Sequence, residues 1–281
     1  MNKYFKYLTE HRNCIICNKP YSDVWLDYGK IKLVKCNDCK LIWSDPYLSS
    51  NGVQIYYNEY SESYETKEKV KLRLEQYKMD RNDIEPFLSK NKKIKVIDVG
   101  CFDGDFLKLF EAKRFDKFGF DIKEKESKNK NFFYGNFKDI PKAFKNFDLV
   151  MMRGVIQHVS SPCQYMEQIS DMIKPKGLLY ICATPNVDSF CAQVYKEMWG
   201  VSDPMAFMFY FSDKTAEKFL NKYGFQLIDK KFPYIDTPYC NLENDYSRIL
   251  SDINKIHNGK LPEKSPPFWG TMMNLIFKKV K

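Results

Sequence analysis

Four cysteines near the N-terminus form two CxxC pairs with a spacing suited to a metal ion. Eighteen residues separate the pair Cys14 and Cys17 from the pair Cys36 and Cys39. Four thiolates from two such turns can enclose a tetrahedral zinc ion with no open position, so the pattern predicts a structural zinc site. Iron accepts the same ligands, and reduced core thiols or a redox dithiol are the metal-free alternatives. Because a redox dithiol usually occurs as one CxxC, the duplication favours zinc.

A glycine-containing turn and a later carboxylate indicate a site for a nucleotide-like ligand. The segment 96–107, VIDVGCFDGDFL, is typical of an apolar strand that runs through a turn into a helix. Gly100 and Gly104 would let a ligand approach the backbone at the carboxyl end of that strand. Asp121 follows Gly100 by twenty-one residues and ends the next predicted strand, where it could accept hydrogen bonds from both ribose hydroxyls. The turn alone also fits an ordinary strand-to-helix connection.

One histidine stands where it could act on a bound substrate. His158 lies in VIQHV, directly after another predicted strand, and is one of three histidines in the chain. A neutral imidazole there could take a proton from a substrate hydroxyl, which makes His158 the candidate base. A packing or hydrogen-bonding role at a helix start explains the residue equally well.

The elements that must position these residues alternate along the chain after residue 92. Apolar runs predict seven strands: KIKVIDVG, KFGFDI, FFYGNF, FDLVMMRG, GLLYICATP, FQLIDKKF and TMMNLIFKKV. Helices are predicted over 164–173 and, capped by Ser212, over 214–223. The last strand is predicted to pair antiparallel at the sheet edge.

The N-terminal third has a different organisation. Residues 14–45 are turn-rich and favour two small hairpins, and residues 63–90 favour one or two connecting helices. We therefore predict a zinc-binding module over 1–50, a helical linker over 51–92 and the catalytic domain over 93–281.

Composition limits the class of protein. At 281 residues and 44% hydrophobic, the chain can bury a full core, which excludes complete disorder. The formal charge of +9 arises from scattered lysines, so it favours acidic ligands without requiring nucleic acid. No stretch approaches the roughly 20 apolar residues of a membrane helix, and the opening MNKYFKYLTEHRN lacks a signal-peptide core. We expect a soluble cytoplasmic protein with reduced thiols.

Four segments resemble, in order, the motifs of class I S-adenosylmethionine-dependent methyltransferases. DVGCFDGDFL resembles their first motif, GFDI the acidic second motif, FDLVMMRGVIQHV the fourth-strand motif and IKPKGLLYICATPN the fifth-strand motif. The cysteine-rich leader and FSDKTAEKFLNKYGFQLI extend the resemblance to one bacterial small-molecule branch. The resemblance implies an α/β fold with a Rossmann-like, seven-stranded, mostly parallel sheet, flanking helices and a small zinc-ribbon-like β module in front.

The resemblance also implies contacts to the cofactor, S-adenosylmethionine. The implied residues are Asp98, Gly100 and Gly104 at the methionine end, Asp121 at the ribose, Asn136 and Phe137 at the adenine, and Arg153 after the fourth strand. Phe102 departs from the pattern, because family members commonly have glycine there. Related metal-dependent quinone O-methyltransferases carry acidic residues where this chain has Gly154 and Gln157, so no catalytic metal is expected. Phe207 and Phe209 replace histidines that often occur in relatives.

Two groups of aromatic residues have alternative interpretations. The first follows the fifth strand and forms either a wall over the methyl acceptor or a cover for the sheet edge; it comprises Tyr195, Trp199, Phe209, Tyr210 and Phe211. The second either closes over the cofactor or packs the linker; it comprises Tyr56, Tyr57, Tyr60 and Tyr64.

The resemblance implies methyl transfer to a small or sugar-like acceptor, such as a nucleotide-linked sugar or a precursor of a surface polysaccharide or secondary metabolite. One alternative is a zinc-containing RNA methyltransferase, which the positive charge favours. Against it, the second zinc half, CNDCKLIWSDPYLS, lacks the histidine of RNA-type sites, and lysines and aromatics are not interleaved as in single-strand binders. The other alternative is a cofactor-binding scaffold without activity, which Phe102 and the missing histidines favour.

Overall fold

The computed structural model describes residues 2–9, 11–21, 23–59 and 66–280, which form one large and one small β-sheet. The strands are β1 Asp23–Asp27, β2 Lys32–Lys35, β3 Ile42–Asp45, β4 Ile94–Val99, β5 Phe115–Asp121, β6 Phe132–Tyr134, β7 Phe147–Arg153, β8 Ile173–Pro185, β9 Phe209–Tyr210, β10 Phe225–Lys231 and β11 Met272–Lys279. The α-helices are α1 Ser50–Glu59, α2 Lys67–Ile84, α3 Asp105–Lys108, α4 Pro162–Met172, α5 Phe190–Tyr195, α6 Asp213–Asn221 and α7 Leu242–His257. Within these ranges, none of the helices has the length and apolar character needed to cross a membrane.

The large sheet confirms all seven predicted strands and the Rossmann-like fold class. Its order is β10-β11-β8-β7-β4-β5-β6, and β8 through β6 run parallel to their neighbours. The central strand β4 is buried at five of its six positions, which is why its sequence is a continuous apolar run with few polar residues. Its carboxyl end leads into the glycine turn and thereby places Gly100 at the edge of the sheet.

The last strand differs from its predicted place. β11 is antiparallel, as predicted, but it lies between β8 and β10 and not at the edge. Five consecutive residues of β11 are buried, so both faces and both edges of the strand need partners. β10 carries Asp229, Lys230 and Lys231 and is mostly exposed, and charged residues of this kind suit an edge strand.

Capping residues define the ends of two predicted helices. α4 begins at Pro162, two residues before its predicted start, because the fixed φ of proline suits the first helical turn. Ser212 caps α6 as predicted, with its hydroxyl accepting from the Thr215 backbone N–H while the Thr215 hydroxyl accepts from the Ser212 N–H. α6 ends at Asn221, slightly before its predicted end, and Gly224 follows with φ of 80°.

The small sheet contains an unexpected strand from the catalytic part of the chain. Its order is β1-β2-β3-β9, all antiparallel, and β9 pairs Phe209 with Trp43 and Tyr210 with Ile42. The two predicted hairpins are therefore one three-stranded meander, because no strand flanks the turn at Cys14 within the described residues. Trp43 and Phe209 are fully buried in a core cluster that also contains residues of the large sheet, so the two sheets share a core.

Candidate functional site

The four N-terminal cysteines come together in the structure. Their sulfur atoms all lie within 4.8 Å of one another, and Cys17 Sγ lies 3.5 Å from Cys36 Sγ. Tetrahedral zinc with Zn–S bonds of about 2.3 Å requires sulfur separations of about 3.8 Å, so the donor set fits the ion. Burial raises the pKa of Cys14 to about 11, so without a bound cation this group is a protonated thiol.

The two cysteine turns have the same backbone geometry. In the first, the Cys14 N–H donates to the Lys19 carbonyl and the Asn18 N–H to the Cys14 carbonyl. In the second, the N–H of Cys36 and the N–H of Lys40 make the equivalent bonds. Asn18 and Lys40 both have a positive φ, at 61° and 66°. Two matching turns facing each other are the arrangement that presents four sulfur atoms to one ion.

A pocket of about 660 Å³ opens at the carboxyl end of the large sheet. This volume lies within the range typical of small-molecule sites, and the carboxyl edge of a parallel sheet is their usual place. Five of the predicted site residues line the pocket: Gly100, Asp121, Asn136, Arg153 and His158. Asp98, Gly104 and Phe137 are not among the lining residues.

Asp121 presents a fixed carboxylate to the pocket. Its Oδ2 accepts from the Phe102 backbone N–H at 2.8 Å, and its Oδ1 accepts from the Lys123 N–H at 2.9 Å. Burial raises the pKa of the Asp121 carboxyl, although these two N–H groups act to lower it. A carboxylate has about four acceptor positions, so each oxygen keeps capacity for a ligand hydroxyl.

Gly100 has no space for a side chain. Its φ is 83°, and a Cβ atom there would collide with Cγ2 of Val155, another pocket residue. Phe102, two residues later, also holds a left-handed backbone at φ of 51° and lines the pocket. Its carbonyl accepts from the Tyr134 hydroxyl at 3.1 Å, and Lys123 Nζ lies 5.0 Å from its ring centroid. The phenylalanine therefore adopts the glycine-like conformation of the turn and adds a wall to the pocket.

Asp98 is buried beside Arg153, which lines the pocket. Asp98 is 2% exposed, its Oδ1 has no hydrogen-bond partner among the described residues, and burial raises its pKa to about 8. Arg153 donates from Nε to Asp80 Oδ2 at 2.8 Å and packs 4.3 Å from the Tyr77 ring centroid. A buried carboxyl oxygen without a donor is the type of atom that a cationic ligand group would satisfy.

The residues predicted for the adenine lie at different depths. Asn136 lines the pocket, and its Oδ1 accepts from the Lys138 N–H. Phe137 is 1% exposed and stacks on Tyr165, with ring centroids 4.1 Å apart and an interplanar angle of 12°. Tyr165 itself lines the pocket, so it stands between Phe137 and the cavity. Gly104, with φ of 78°, packs against the ring of Phe132.

His158 has both ring nitrogens engaged. Nδ1 lies 3.0 Å from the Ala206 carbonyl oxygen, which can only accept, so Nδ1 carries the proton. Gln157 Nε2 lies 3.2 Å from His158 Nε2 and donates to it. Burial lowers the pKa of His158 to about 4, so the imidazole is neutral at pH 7. Gln157 Oε1 is buried and has no hydrogen-bond partner in the part of the chain that the structure describes. Rotation of this amide would therefore break no hydrogen bond to Oε1 there.

The first aromatic group packs in buried clusters, whereas Tyr57 of the second group reaches the pocket. All five residues of the first group are at most 2% exposed. Phe209 and Phe211 belong to the core that the two sheets share, and Tyr195, Trp199 and Tyr210 to a second buried cluster with residues of the small sheet. In the second group, Tyr57 lines the pocket and its ring lies 5.6 Å from that of His158. Tyr60 and Tyr64 lie outside the described residues.

Helix α1 is a wall of the pocket that sequence motifs do not indicate. Ser50, Val53 and Tyr57 line the pocket from this helix. Gln54 Nε2 donates to Glu124 Oε1 at 3.0 Å, and at the other end the hydroxyl of Ser50 lies 2.9 Å from that of Ser160. α1 therefore bridges the loops that follow β5 and β7 and covers the cavity between them.

Solved structures with the same fold are methyltransferases. The 1,6-didemethyltoxoflavin-N1-methyltransferase of Burkholderia thailandensis, with its substrate and S-adenosylhomocysteine bound, has a TM-score of 0.55 at 12% identity, covering 86% of this chain and 95% of that one. A methyltransferase of Thermotoga maritima has a TM-score of 0.54 at 14% identity, covering 82% and 100%. The magnesium protoporphyrin IX methyltransferase of Synechocystis, with bound S-adenosylhomocysteine, has a TM-score of 0.50 at 11% identity, covering 82% and 95%.

Sequence comparison identifies the family directly. None of the curated protein sequences matches the chain. Residues 72–230, which include the pocket strands β4, β5 and β7, match the family described as methyltransferase domain. Because this match spans more than half of the 281 residues, the chain belongs to the methyltransferase domain family and is an S-adenosylmethionine-dependent methyltransferase.

Proposed function

We propose that the pocket binds S-adenosylmethionine with its ribose hydroxyls on the carboxylate of Asp121. The observation that carries this proposal is the geometry of that carboxylate, which two backbone N–H groups hold at the pocket wall with acceptor capacity remaining. Gly100 supports it, because this residue lines the pocket and has no side chain between its backbone and the cavity.

The methionine end lies toward Asp98 and Arg153 in this arrangement. The unpartnered Oδ1 of Asp98 would accept from the ammonium group, and Arg153 would attract the carboxylate. Gly104 contributes by allowing the left-handed turn that starts α3. The adenine lies near Asn136, and Phe137 acts through Tyr165, on which it stacks.

The chemistry requires few catalytic groups from the protein. S-adenosylmethionine supplies a methyl group that its positively charged sulfur already activates. The protein has to hold the acceptor in line with that group, exclude water and remove a proton. His158 is the candidate base, because its neutral ring faces the pocket and its unprotonated Nε2 can accept a proton once an acceptor displaces the Gln157 amide.

The four cysteines hold a structural zinc ion in this proposal. The support is the set of four mutually close sulfur atoms on two matching turns. All four ligand positions are filled by protein sulfur, so the ion has no open position for a substrate and stabilises the small sheet. Iron is the alternative that the same donor set admits.

The acceptor is a small or sugar-like molecule, with a nucleotide-linked sugar as the first candidate and polysaccharide or secondary-metabolite synthesis as the setting. Three observations support this class. The pocket is a bounded cavity and its rim beside His158 carries the hydroxyls of Ser50, Ser160 and Ser161. In addition, a methyltransferase of similar fold from Burkholderia thailandensis holds bound 1,6-didemethyltoxoflavin.

A transfer assay with methyl-labelled S-adenosylmethionine tests this acceptor class. The purified, metal-containing protein is incubated with sugar nucleotides in one set and total bacterial RNA in another. Label in a sugar nucleotide, lost in Asp121→Ala, is the expected result. Label in RNA would replace the proposed acceptor by the RNA alternative. Cofactor binding without transfer to any member of either set would favour a scaffold role.

A further inference from the structure

The four-cysteine module contacts the loop that carries His158. This loop, residues 154–161, connects β7 to α4 and forms one side of the pocket. Arg12 Nη1 donates to the Ser160 carbonyl at 3.0 Å, and Ser50 contacts the hydroxyl of the same serine. A third connection runs from Ser44 in β3, and it reaches His158 through residues 204–208.

Ser44 fixes the backbone of segment 204–208 from within the small sheet. The side chain is fully buried, and its hydroxyl lies 2.6 Å from the Phe207 carbonyl oxygen and 3.2 Å from that of Pro204. The Ser44 N–H donates to the Met208 carbonyl at 3.1 Å and continues the β3–β9 pairing by one residue. A hydroxyl has one proton and the Phe207 oxygen is the nearer acceptor, so Ser44 holds the Phe207 carbonyl through its side chain and the Met208 carbonyl through its N–H.

The same segment holds His158 and its neighbour. The Ala206 carbonyl accepts the Nδ1 proton of His158, and the Met208 N–H donates to the Gln157 carbonyl at 2.7 Å. The Phe207 ring packs edge-on against the imidazole, with ring centroids 4.9 Å apart. A shift of the Ala206 carbonyl would release the Nδ1 proton and allow the ring to turn or change tautomer.

We propose that Ser44 is a positioning residue for His158, so that the four-cysteine module sets the tautomer of the candidate base in the pocket. The hydroxyl fixes the Phe207 carbonyl, this fixes the adjacent Ala206 carbonyl, and the Ala206 carbonyl keeps the proton on Nδ1. Nε2 is thereby left as the acceptor that faces Gln157. The importance of this contact for catalysis rests on the proposed role of His158 as the base. The tautomer of His158 does not depend on that role.

The test reads the tautomer directly by nitrogen NMR of the imidazole rings in the full, metal-containing chain. Only three histidines are present, so His158→Asn assigns the signals. In the wild type we expect Nδ1 of His158 in the protonated range and Nε2 in the unprotonated range. Because one hydrogen bond is worth roughly fivefold in an equilibrium, Ser44→Ala should lower the Nδ1–H to Nε2–H ratio by about fivefold or more.

Ser202→Ala is the matched control. The Ser202 hydroxyl contacts the Tyr210 hydroxyl at 3.2 Å, so this variant removes a serine hydroxyl beside β9 without touching the Pro204 or Phe207 carbonyls. It should leave the His158 signals unchanged. Asp203 and Tyr57, the titratable groups near the ring, are intact in both variants, and all spectra are recorded at one pH.

A folded Ser44→Ala protein with wild-type His158 signals would overturn the proposal. As a second measurement, removal of the metal from the wild type, with the large sheet still folded, should move the same signals in the same direction. If it does not, the module does not set the tautomer. S-adenosylhomocysteine affinity, measured on the same samples, separates the two proposals, because wild type that fails to bind it contradicts the proposed cofactor site without changing the tautomer result.

Discussion

Phe102 combines a bulky side chain with a backbone conformation that favours glycine. The turn beside the pocket requires a left-handed backbone, and Phe102 adopts it at φ of 51°. For residues other than glycine, asparagine or aspartate this conformation is costly, by about 1–2 kcal/mol. Two hydrogen bonds hold the backbone in this conformation: the Phe102 N–H donates to Asp121, and the Phe102 carbonyl accepts from Tyr134.

Substitutions at Phe102 should therefore separate backbone strain from side-chain contact. Phe102→Gly and Phe102→Val both remove the ring, but only valine keeps the strain, and its β-branch increases it. We expect the valine variant to have a free energy of unfolding about 1–2 kcal/mol lower than the glycine variant. Urea unfolding measures this difference. Phe190→Gly and Phe190→Val are the control pair, because Phe190 starts α5. Here the glycine variant should have the lower free energy of unfolding, since glycine is the poorer residue in a helix.

Asp98 makes the stability of the protein depend on pH in an unusual direction. Burial raises its pKa to about 8 in the folded state, whereas an unfolded aspartate titrates near pH 4. Between these values the folded state binds one more proton than the unfolded state, so stability falls as pH rises from 4 to 8.

Asp98→Asn should remove this dependence, because the amide keeps the shape but does not titrate. We expect the free energy of unfolding of the wild type, relative to the variant, to fall by on the order of a few kcal/mol between pH 5 and pH 8. Urea titrations at both pH values, without cofactor, measure it. Parallel changes in the two proteins would mean that Asp98 does not carry a raised pKa.

At the scale of elements, α2 is attached to the sheet through a buried polar network. Asp80, on α2, is 1% exposed and accepts from Arg153 on β7, from Gln76 one turn earlier and from Asn274 on β11. The Tyr180 hydroxyl on β8 donates to the Asp80 carbonyl at 3.0 Å. One carboxylate thus joins the helix to strands distant in sequence and holds Arg153 at the pocket.

Removing Asp80 should destabilise the protein strongly. Asp80→Ala leaves the Arg153 guanidinium, whose side chain is 17% exposed, without its buried counter-ion, and removing one partner of a buried ion pair costs about 3–5 kcal/mol. Lys231→Ala breaks the exposed pair with Asp83 on the same helix and should cost less than about 1 kcal/mol. Chemical unfolding of both variants measures the two losses of stability. Equal effects would contradict the importance of the buried network.

Patterns along the chain predict the strands better than they predict the site. β4 and β7 are recognisable because a strand covered on both faces needs an unbroken apolar run. The role of α1 was missed, because its contacts to Glu124 and Ser160 join residues 70 and 110 positions apart. The burial of Phe137 behind Tyr165 was missed for the same reason. β9, at two residues, is too short for any periodicity to indicate.

At the scale of the whole molecule, the small and large sheets share one core. The cluster that contains Trp43 of β3 also contains Phe209 of β9 and Phe277 of β11. The division into 1–50, 51–92 and 93–281 stays a prediction, but the N-terminal boundary separates sequence segments that pack together. Loss of order in the cysteine module should therefore also destabilise the large sheet.

Metal removal tests this coupling. We expect about one zinc ion per chain by elemental analysis, and a lower melting temperature after chelation or in Cys36→Ser, because the metal contributes folding free energy. Calorimetry should show one transition that moves as a whole. Iron in place of zinc would show that the assigned metal is wrong. An unchanged melting temperature after metal loss would contradict a structural role for the ion.

Calorimetric titration with S-adenosylhomocysteine tests the proposed cofactor site most directly. We expect micromolar binding to the metal-containing wild type and loss of binding in Asp121→Ala. Binding should be unchanged in Asp139→Ala, which removes an exposed carboxylate that does not line the pocket. Folded wild type that does not bind, or Asp121→Ala that binds as tightly as wild type, would contradict the assignment of the cofactor to this pocket.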